Sequence, residues 1–586
     1  MKFLSNVLST IVGLFLFIMI FFFGIVILGV IFGDDETISV KKNSVIELNL
    51  KAVSNDYIGK YSDPMMELFS ENENIGLSDV LKAIKKAKTD KKIKGISILN
   101  NECSLGMAQR KALRDQLEDF KKSGKFIYSY ADSYSQKEYY LNSVANKIYI
   151  NPIGDLDFKG FASEILYFKD FQEKSGIKME VIRHGKYKSA VEPFLESKMS
   201  DANREQMTSL LNSIWNSTIA DISKSRNISV EKLNEIANGL LARTADMAKS
   251  QGLVDKIAYE DEYHNDIRKI LKTDTKDDYN SVKITDYTRS IVNSPLDVDS
   301  KNKIAIIYAQ GDIKNGEGDF NYIGEGSMRR ALEEARKNKN IKAIVLRVNS
   351  PGGSALTSEL IWREIELTKK TKPIVVSMGN YAASGGYYIA CNANRIFAEP
   401  NTITGSIGVF GMLPNFTQLT NNKMGINSEI VSTHANSANY SPFRPIDENF
   451  KKVTLEGVER IYSTFVNRVA TGRKMTVAQV DAIAQGRVWS GDEALKIGLV
   501  DQIGGMDEAI KYAASLAKIK TYKTQDFPEY KKNIKQLLSD LPLAKTTSKM
   551  MKEEMGEETY LIFEQVKKLN SRKGMQVILP YEININ

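Results

Sequence analysis

The sequence predicts an α/β protein made of two tandem copies of one unit of repeated βαβ elements, behind a single N-terminal transmembrane helix. Three observations carry that prediction. An apolar run of 22 residues, 11–32, lies near the start of the chain. Collinear sequence matches lay residues 91–152 over residues 339–400. Within both stretches, short β-branched runs alternate with segments of helical spacing. That alternation marks parallel sheets whose strands are buried on both faces.

The run at 11–32, "IVGLFLFIMIFFFGIVILGVIF", has no polar side chain. A helix of ~20 apolar residues crosses a bilayer, whereas a cleavable signal peptide has a core of about 7–15 and a small-x-small cleavage site. Here "FGDDET" follows, without such a site, so the run reads as an uncleaved anchor. Lys2 and the free amine favour residues 1–10 staying cytoplasmic, and Lys41 and Lys42 count against it. The body of the protein is then expected outside the cytoplasmic membrane.

The repeat is dense. Ile93-Lys94 recurs as Ile341-Lys342 and Tyr139-Tyr140 as Tyr387-Tyr388, both at an offset of 248. "QGLVDKI" at 251–257 recurs as "IGLVDQI" at 497–503, at an offset of 246. These matches define a first copy at 45–267 and a second at 302–527. Residues 268–301 are polar and aperiodic and read as a linker; residues 528–586 form a lysine-rich tail. In the second copy, "KIAIIYAQG", "IKAIVLRVN" and "KPIVVSMGN" are strands, and "SMRRALEEARKNKN" is a helix. Ligands of such sheets sit beyond the carboxyl ends of the strands. Those ends carry "NSPGGSA" (349–355) and "GNYAASGG" (379–386).

Composition narrows the function classes. The 586 residues include 42% apolar and 26% charged side chains, a globular balance. The net charge of +8 comes from 80 basic and 72 acidic residues that interleave, so a nucleic-acid footprint is not expected. Cys103 and Cys391 lack metal or redox spacing. His184, His264 and His434 are far apart, a poor start for a histidine-based triad or a zinc site.

The chemistry lies in what the copies do not share. At the offset of 248, Ser384 falls on Gln136, and Gly352 and Gly353 fall on Ser104 and Leu105. In reverse, the basic "GKYKSAVEPF" (185–194) falls on a segment that is uncharged apart from His434: at an offset of 249, Lys186 falls on Ala435 and Lys188 on Ser437. The serine lives in one half and a lysine pair in the other. Taken singly, ASGG reads as a close helix–strand contact, PGG as a turn and KYK as an exposed basic face. The reciprocal loss favours chemistry.

Serine needs a base, and a lysine at its ordinary pKa of ~10.4 is protonated. Burial disfavours the charged form, and catalytic lysines tuned to about 7–8 use that effect. Lys188, beside small Ser189 and Ala190, is the expected base for Ser384. Gly353 and Gly385, with Gly352 as a third candidate, would offer backbone amides to the oxyanion. Ser354 and Ser189 are rival hydroxyls, and Ser354 reads better as a helix cap. Ser406, in "ITGSIGVFG", is a candidate to hold the lysine amine.

Together, "NSPGGS", "AASGGYY", "ITGSIGVFG", "GRVWSGDEALKIGLVD" and "GKYKSAVEPF" resemble the long, tandem-domain form of the signal peptide peptidase A family, over roughly residues 45–525. The resemblance implies a Clp-protease/crotonase-type fold, a Ser–Lys dyad and no metal, nucleotide or other cofactor. It places the nucleophile on Ser384 and the general base on Lys188, with Lys186 ranked second. It implies a homo-tetramer at the bacterial inner membrane, single-pass, with its catalytic domains on the periplasmic side. The implied substrates are signal-peptide remnants and other short apolar peptides. The alternatives are a crotonase-type acyl-CoA enzyme, which shares the glycine-built oxyanion hole, and an inactive membrane scaffold.

Overall fold

The computed structural model describes residues 40–61 except 52, 75–274, 278–292, 300–437, 440–530 and 576–578, with most of 6–24. The described positions in 6–24 are helical, and the rest of the 11–32 run lies outside the described residues. Among the described residues, no helix is long and apolar enough to cross a membrane.

The first copy folds around a six-stranded sheet in the order Lys256–Ile257, Lys147–Ile150, Phe126–Ala131, Ile93–Leu99, Ser44–Glu47, Ser281–Lys283. Every pairing in it is parallel. The second copy repeats the plan, with Ile403–Gly405, Ile374–Ala383, Ile341–Ser350, Lys303–Gln310 and Lys523–Phe527 side by side in parallel. Val488–Ser490 closes one edge antiparallel. The strands are β-branched and buried on both faces, with Ile96, Ile98, Ile127 and Ile148 in one core and Ile344, Leu346, Val376 and Ile396 in the other.

The duplication extends to element ends. Helices Leu77–Thr89 and Met107–Lys121 recur as Glu325–Lys337 and Ala355–Lys369, with both ends of each displaced by the same 248 residues. The two copies share buried surface: Ala383, Ile403 and Val488 of the second lie in the core of the first.

The segment read as a linker is more ordered than its polarity suggested. Ser281–Lys283 adds an edge strand to the first sheet, and Ile284–Val292 is a helix. Val282, Ile284 and Tyr287 are buried there. Their apolar positions are too sparse for a clear period, but the sheet edge supplies backbone partners that a short strand needs.

A third sheet joins the halves. It runs Tyr322–Ile323, Asp312–Ile313, Gly352–Ser354, Gln576–Ile578, Phe410–Asn415, Lys178–Arg183. The strand Lys178–Arg183 has left the first copy and pairs antiparallel with Phe410–Asn415 of the second, Arg183 opposite Phe410 and Lys178 opposite Asn415.

Candidate active site

That exchanged strand delivers the lysine. Beyond Arg183 the chain stays stitched to the second copy: His184 N donates to Val409 O at 3.0 Å and Tyr187 N to Gln485 O at 3.0 Å. Lys188 follows at once and is fully buried. Its stem passes two glycines. A Cβ on Gly486 would lie 2.6 Å from Lys188 Cβ, and one on Gly408 would lie 3.1 Å from Lys188 Cδ. Gly486 also has φ +82°, where a side chain is strained.

Ser384 stands at the corner between strand Ile374–Ala383 and helix Gly385–Ala390. Its φ of 55° and ψ of −115° are unusual for a non-glycine residue. Strain of this kind persists where surroundings over-determine it. Ser384 N donates to Gly405 O at 2.8 Å, and Tyr388 N donates to Ser384 O at 2.8 Å. Upstream, Asn380 is clamped by the first copy: its Nδ2 donates to Gln109 Oε1 at 2.6 Å, and Gln109 N donates to Asn380 Oδ1 at 3.1 Å. Gln109 Nε2 also donates to Asp56 Oδ1, while Asp56 Oδ2 lies 2.7 Å from Arg347 Nε in a buried ion pair. Breaking such a pair from one side leaves an uncompensated charge, so this bridge fixes how the halves meet.

The two side chains meet within one chain. Lys188 Nζ lies 3.0 Å from Ser384 Oγ, 3.0 Å from Ser406 Oγ and 3.2 Å from Ser406 O. Phe410 presents its ring centroid 6.0 Å from the amine. Desolvation by burial holds the Lys188 pKa well below the ordinary lysine value, so the uncharged amine is favoured. A neutral amine has two N–H groups and one lone pair. Ser406 O and Oγ can accept the two N–H groups, which leaves the lone pair for the Ser384 hydroxyl.

The glycine turn lies alongside. Gly352–Ser354 is a short strand whose Gly352 and Gly353 are buried. Gly352 N donates to Ser350 Oγ at 3.1 Å, which commits the Gly352 amide to the turn itself. Gly353 admits no side chain: a Cβ there would come 2.0 Å from Ile313 O. Gly385 opens its helix, where first-turn amides lack intrahelical partners.

The remaining candidates fall elsewhere. Lys186 is exposed, its amine 4.8 Å from the Tyr187 ring centroid. Ser354 Oγ caps its helix by accepting from Thr357 N at 3.3 Å. Ser189 Oγ accepts from Gln206 Nε2 at 2.7 Å. His434 is exposed beside Thr433 and Ser437. His184 stacks on Tyr462, and His264 contacts Tyr279. Cys103 and Cys391 are both free thiols. Among the described residues, no group of three or more His, Cys, Asp or Glu is placed to hold a metal ion.

The first copy's counterpart of the site has a different lining. Gln136, in the place of Ser384, accepts from Lys159 N and Gly160 N at 2.9 and 2.8 Å through Oε1. It borders a cavity of about 410 Å³ with Ser104, Arg110, Lys137 and Glu138. Sequence reasoning missed Gly408 and Gly486 as the lysine's passage, Ser350 as the anchor of the glycine turn, and Gln109 as the clamp on Asn380. Gly408 and Gly486 do stand in the motifs, but a glycine does not announce what passes it.

Comparison with known proteins agrees with this architecture. The pattern of Peptidase family S49 matches residues 119–274 and again residues 366–520. "Protease 4" of Haemophilus influenzae is 36% identical over 498 residues, covering 83% of this chain and 81% of the relative. "Protease 4" of Salmonella typhi is 37% identical, covering 81% of this chain and 76% of the relative. "Serine protease SPPA, chloroplastic" of Arabidopsis thaliana is 32% identical, covering 82% and 70%. The chain therefore belongs to Peptidase family S49, carries the family's domain twice, and is a serine peptidase.

Proposed function

We propose that the chain is an endopeptidase in which Ser384 Oγ attacks the scissile carbonyl carbon while the uncharged amine of Lys188 takes the serine proton. The observation that carries this reading is the 3.0 Å approach of the two groups in a buried pocket. The oxyanion of the tetrahedral intermediate accepts from the amides of Gly353 and Gly385. Gly352 serves the turn through Ser350 rather than the oxyanion. The protonated Lys188 then returns its proton to the leaving amine, and the acyl group stays on Ser384. A water molecule, deprotonated by the same amine, releases it. Ser406 is the positioning residue that aims the lone pair.

The substrates in this reading are cleaved signal peptides and other short apolar peptides. The apolar run at 11–32 supports anchoring in the bacterial inner membrane with the domains on the periplasmic side, where such fragments are concentrated. The same reading takes the chain to work as a homo-tetramer. Membership in a serine peptidase family leaves the acyl-CoA enzyme and the inactive scaffold with no observation in their favour.

A mixing experiment tests the reading. Wild-type protein is expected to cut a synthetic signal peptide, whereas Ser384→Ala, Lys188→Met and an equimolar mixture of the two are all expected to leave it intact. No cleavage by the wild type would overturn the substrate, and regained cleavage in the mixture would overturn the single-chain dyad.

A further inference from the structure

The strand Gln576–Ile578 belongs to the C-terminal tail, yet it lies in the middle of the sheet that carries the glycine turn. It runs antiparallel to Gly352–Ser354, with Ile578 opposite Gly352, Val577 opposite Gly353 and Gln576 opposite Ser354. On its other side Gln576 is opposite Phe410, whose ring faces the Lys188 amine. The tail thus fills the slot between the turn that holds Gly353 and the strand beside the lysine. With it in place, Ser384, Lys188, Gly352 and Gly353 are all buried.

An extended peptide recognised by an exposed strand edge binds in this manner, through main-chain pairing on each side. The sequence around the strand, "GMQVILPY" (574–581), is an uncharged, largely apolar stretch in a tail otherwise rich in lysine. It has the chemistry of the peptides this site is read to cut. The intervening residues 531–575 would reach on the order of 150 Å if extended, so they do not restrict the strand from the slot. A tether also holds its end at an effective concentration that can reach millimolar.

We propose that the tail strand Gln576–Ile578 is a built-in competitor, bound between Gly352–Ser354 and Phe410 as an extended substrate is, and that peptides enter only when it leaves. This rests on the reading of Ser384 and Gly353 as the catalytic cleft. Main-chain pairing supplies affinity without demanding one side-chain sequence, so the occupant and its rivals share a class: extended, apolar and free of charge near the cleft. The slot is continuous with the sheet that joins the copies, so the tail's departure exposes two strand edges at once.

Proline tests the pairing. Gln576 has partners on both sides, Ser354 and Phe410, and Val577 stands between it and Ile578, opposite Gly353, so a proline at Val577 puts a ring without an N–H in the middle of the paired stretch. Val577→Pro in the full-length chain is therefore expected to release the tail. Binding is read first, by fluorescence anisotropy of a labelled synthetic peptide of residues 571–586, in a Ser384→Ala background that prevents cleavage. If the tail fills the slot in nine molecules of ten, the peptide binds about tenfold tighter to the Val577→Pro chain than to its parent. Cleavage is read second, with Ser384 intact: KM for a fluorogenic apolar peptide falls by a similar factor, kcat is unchanged, and added tail peptide inhibits competitively. Equal binding to both chains, or no binding to the proline variant, overturns the proposal. Tighter binding without peptide hydrolysis by either chain upholds the tail's place and overturns the peptidase reading alone.

Discussion

Lys188→Met is expected to lower kcat by ~10⁴ or more while leaving the fold in place. Methionine keeps most of the volume that threads between Gly408 and Gly486, so the passage stays filled. What it lacks is the lone pair 3.0 Å from Ser384 Oγ. Stopped peptide cleavage with a single cooperative melting transition retained is the expected pair of readings. The pH dependence follows from the direction of the Lys188 shift, which is downward and caused by desolvation. In the wild type, the rate rises with pH as the lysine loses its proton, with a midpoint well below the ordinary lysine value. Stability carries the same signature. Between the lowered value and the ordinary one, the unfolded chain binds the proton that the folded chain does not, so wild-type stability rises with pH across that window. Below it the folded chain bears a buried charge. Lys188→Met has no such slope, so its stability relative to wild type is highest at low pH and declines as pH rises. Denaturant titrations at several pH values check this, and parallel profiles for the two proteins would contradict a buried, uncharged lysine.

Gly353→Ala carries the second-largest effect, expected at 10²–10³ in kcat, the scale for loss of one oxyanion donor. The new methyl would come 2.0 Å from Ile313 O, a backbone atom that cannot swing aside as a side chain does. The turn must move, and the Gly353 amide moves with it. Because Gly352 N is held by Ser350, it is not free to substitute. Steady-state kinetics are expected to show the loss mostly in kcat, since the donor acts on charge that develops in the transition state. A kcat within twofold of the parent would remove Gly353 from the catalytic machinery.

The repeat made much of the fold legible. Once 91–152 is laid over 339–400, each strand of one copy announces a strand of the other, and helices such as Leu77–Thr89 and Glu325–Lys337 keep the same offset at both ends. The approach of Lys188 to Ser384 is legible for a different reason, namely that each copy lacks what the other has. Other features depend on contacts that no single segment records. Val282 and Ile284 look like part of a polar linker until a sheet edge accepts them. Gln109 and Asn380 are ordinary polar residues whose mutual clamp exists only when the copies dock. Ser350 reads as part of a turn, but its claim on Gly352 N decides which glycine is left for the oxyanion. The tail strand is the extreme case. Three residues are too short for any periodic signal, and their pairing partners lie more than 150 residues away in sequence.

The most direct measurement of the central claim is the rate at which a fluorophosphonate probe captures the protein as pH is raised, with the adduct located by peptide mapping. The account predicts one adduct, on Ser384, formed along a single ionisation far below the ordinary lysine range and lost in Lys188→Met. An adduct on another residue, or capture of Ser384 at an undiminished rate without Lys188, would contradict it.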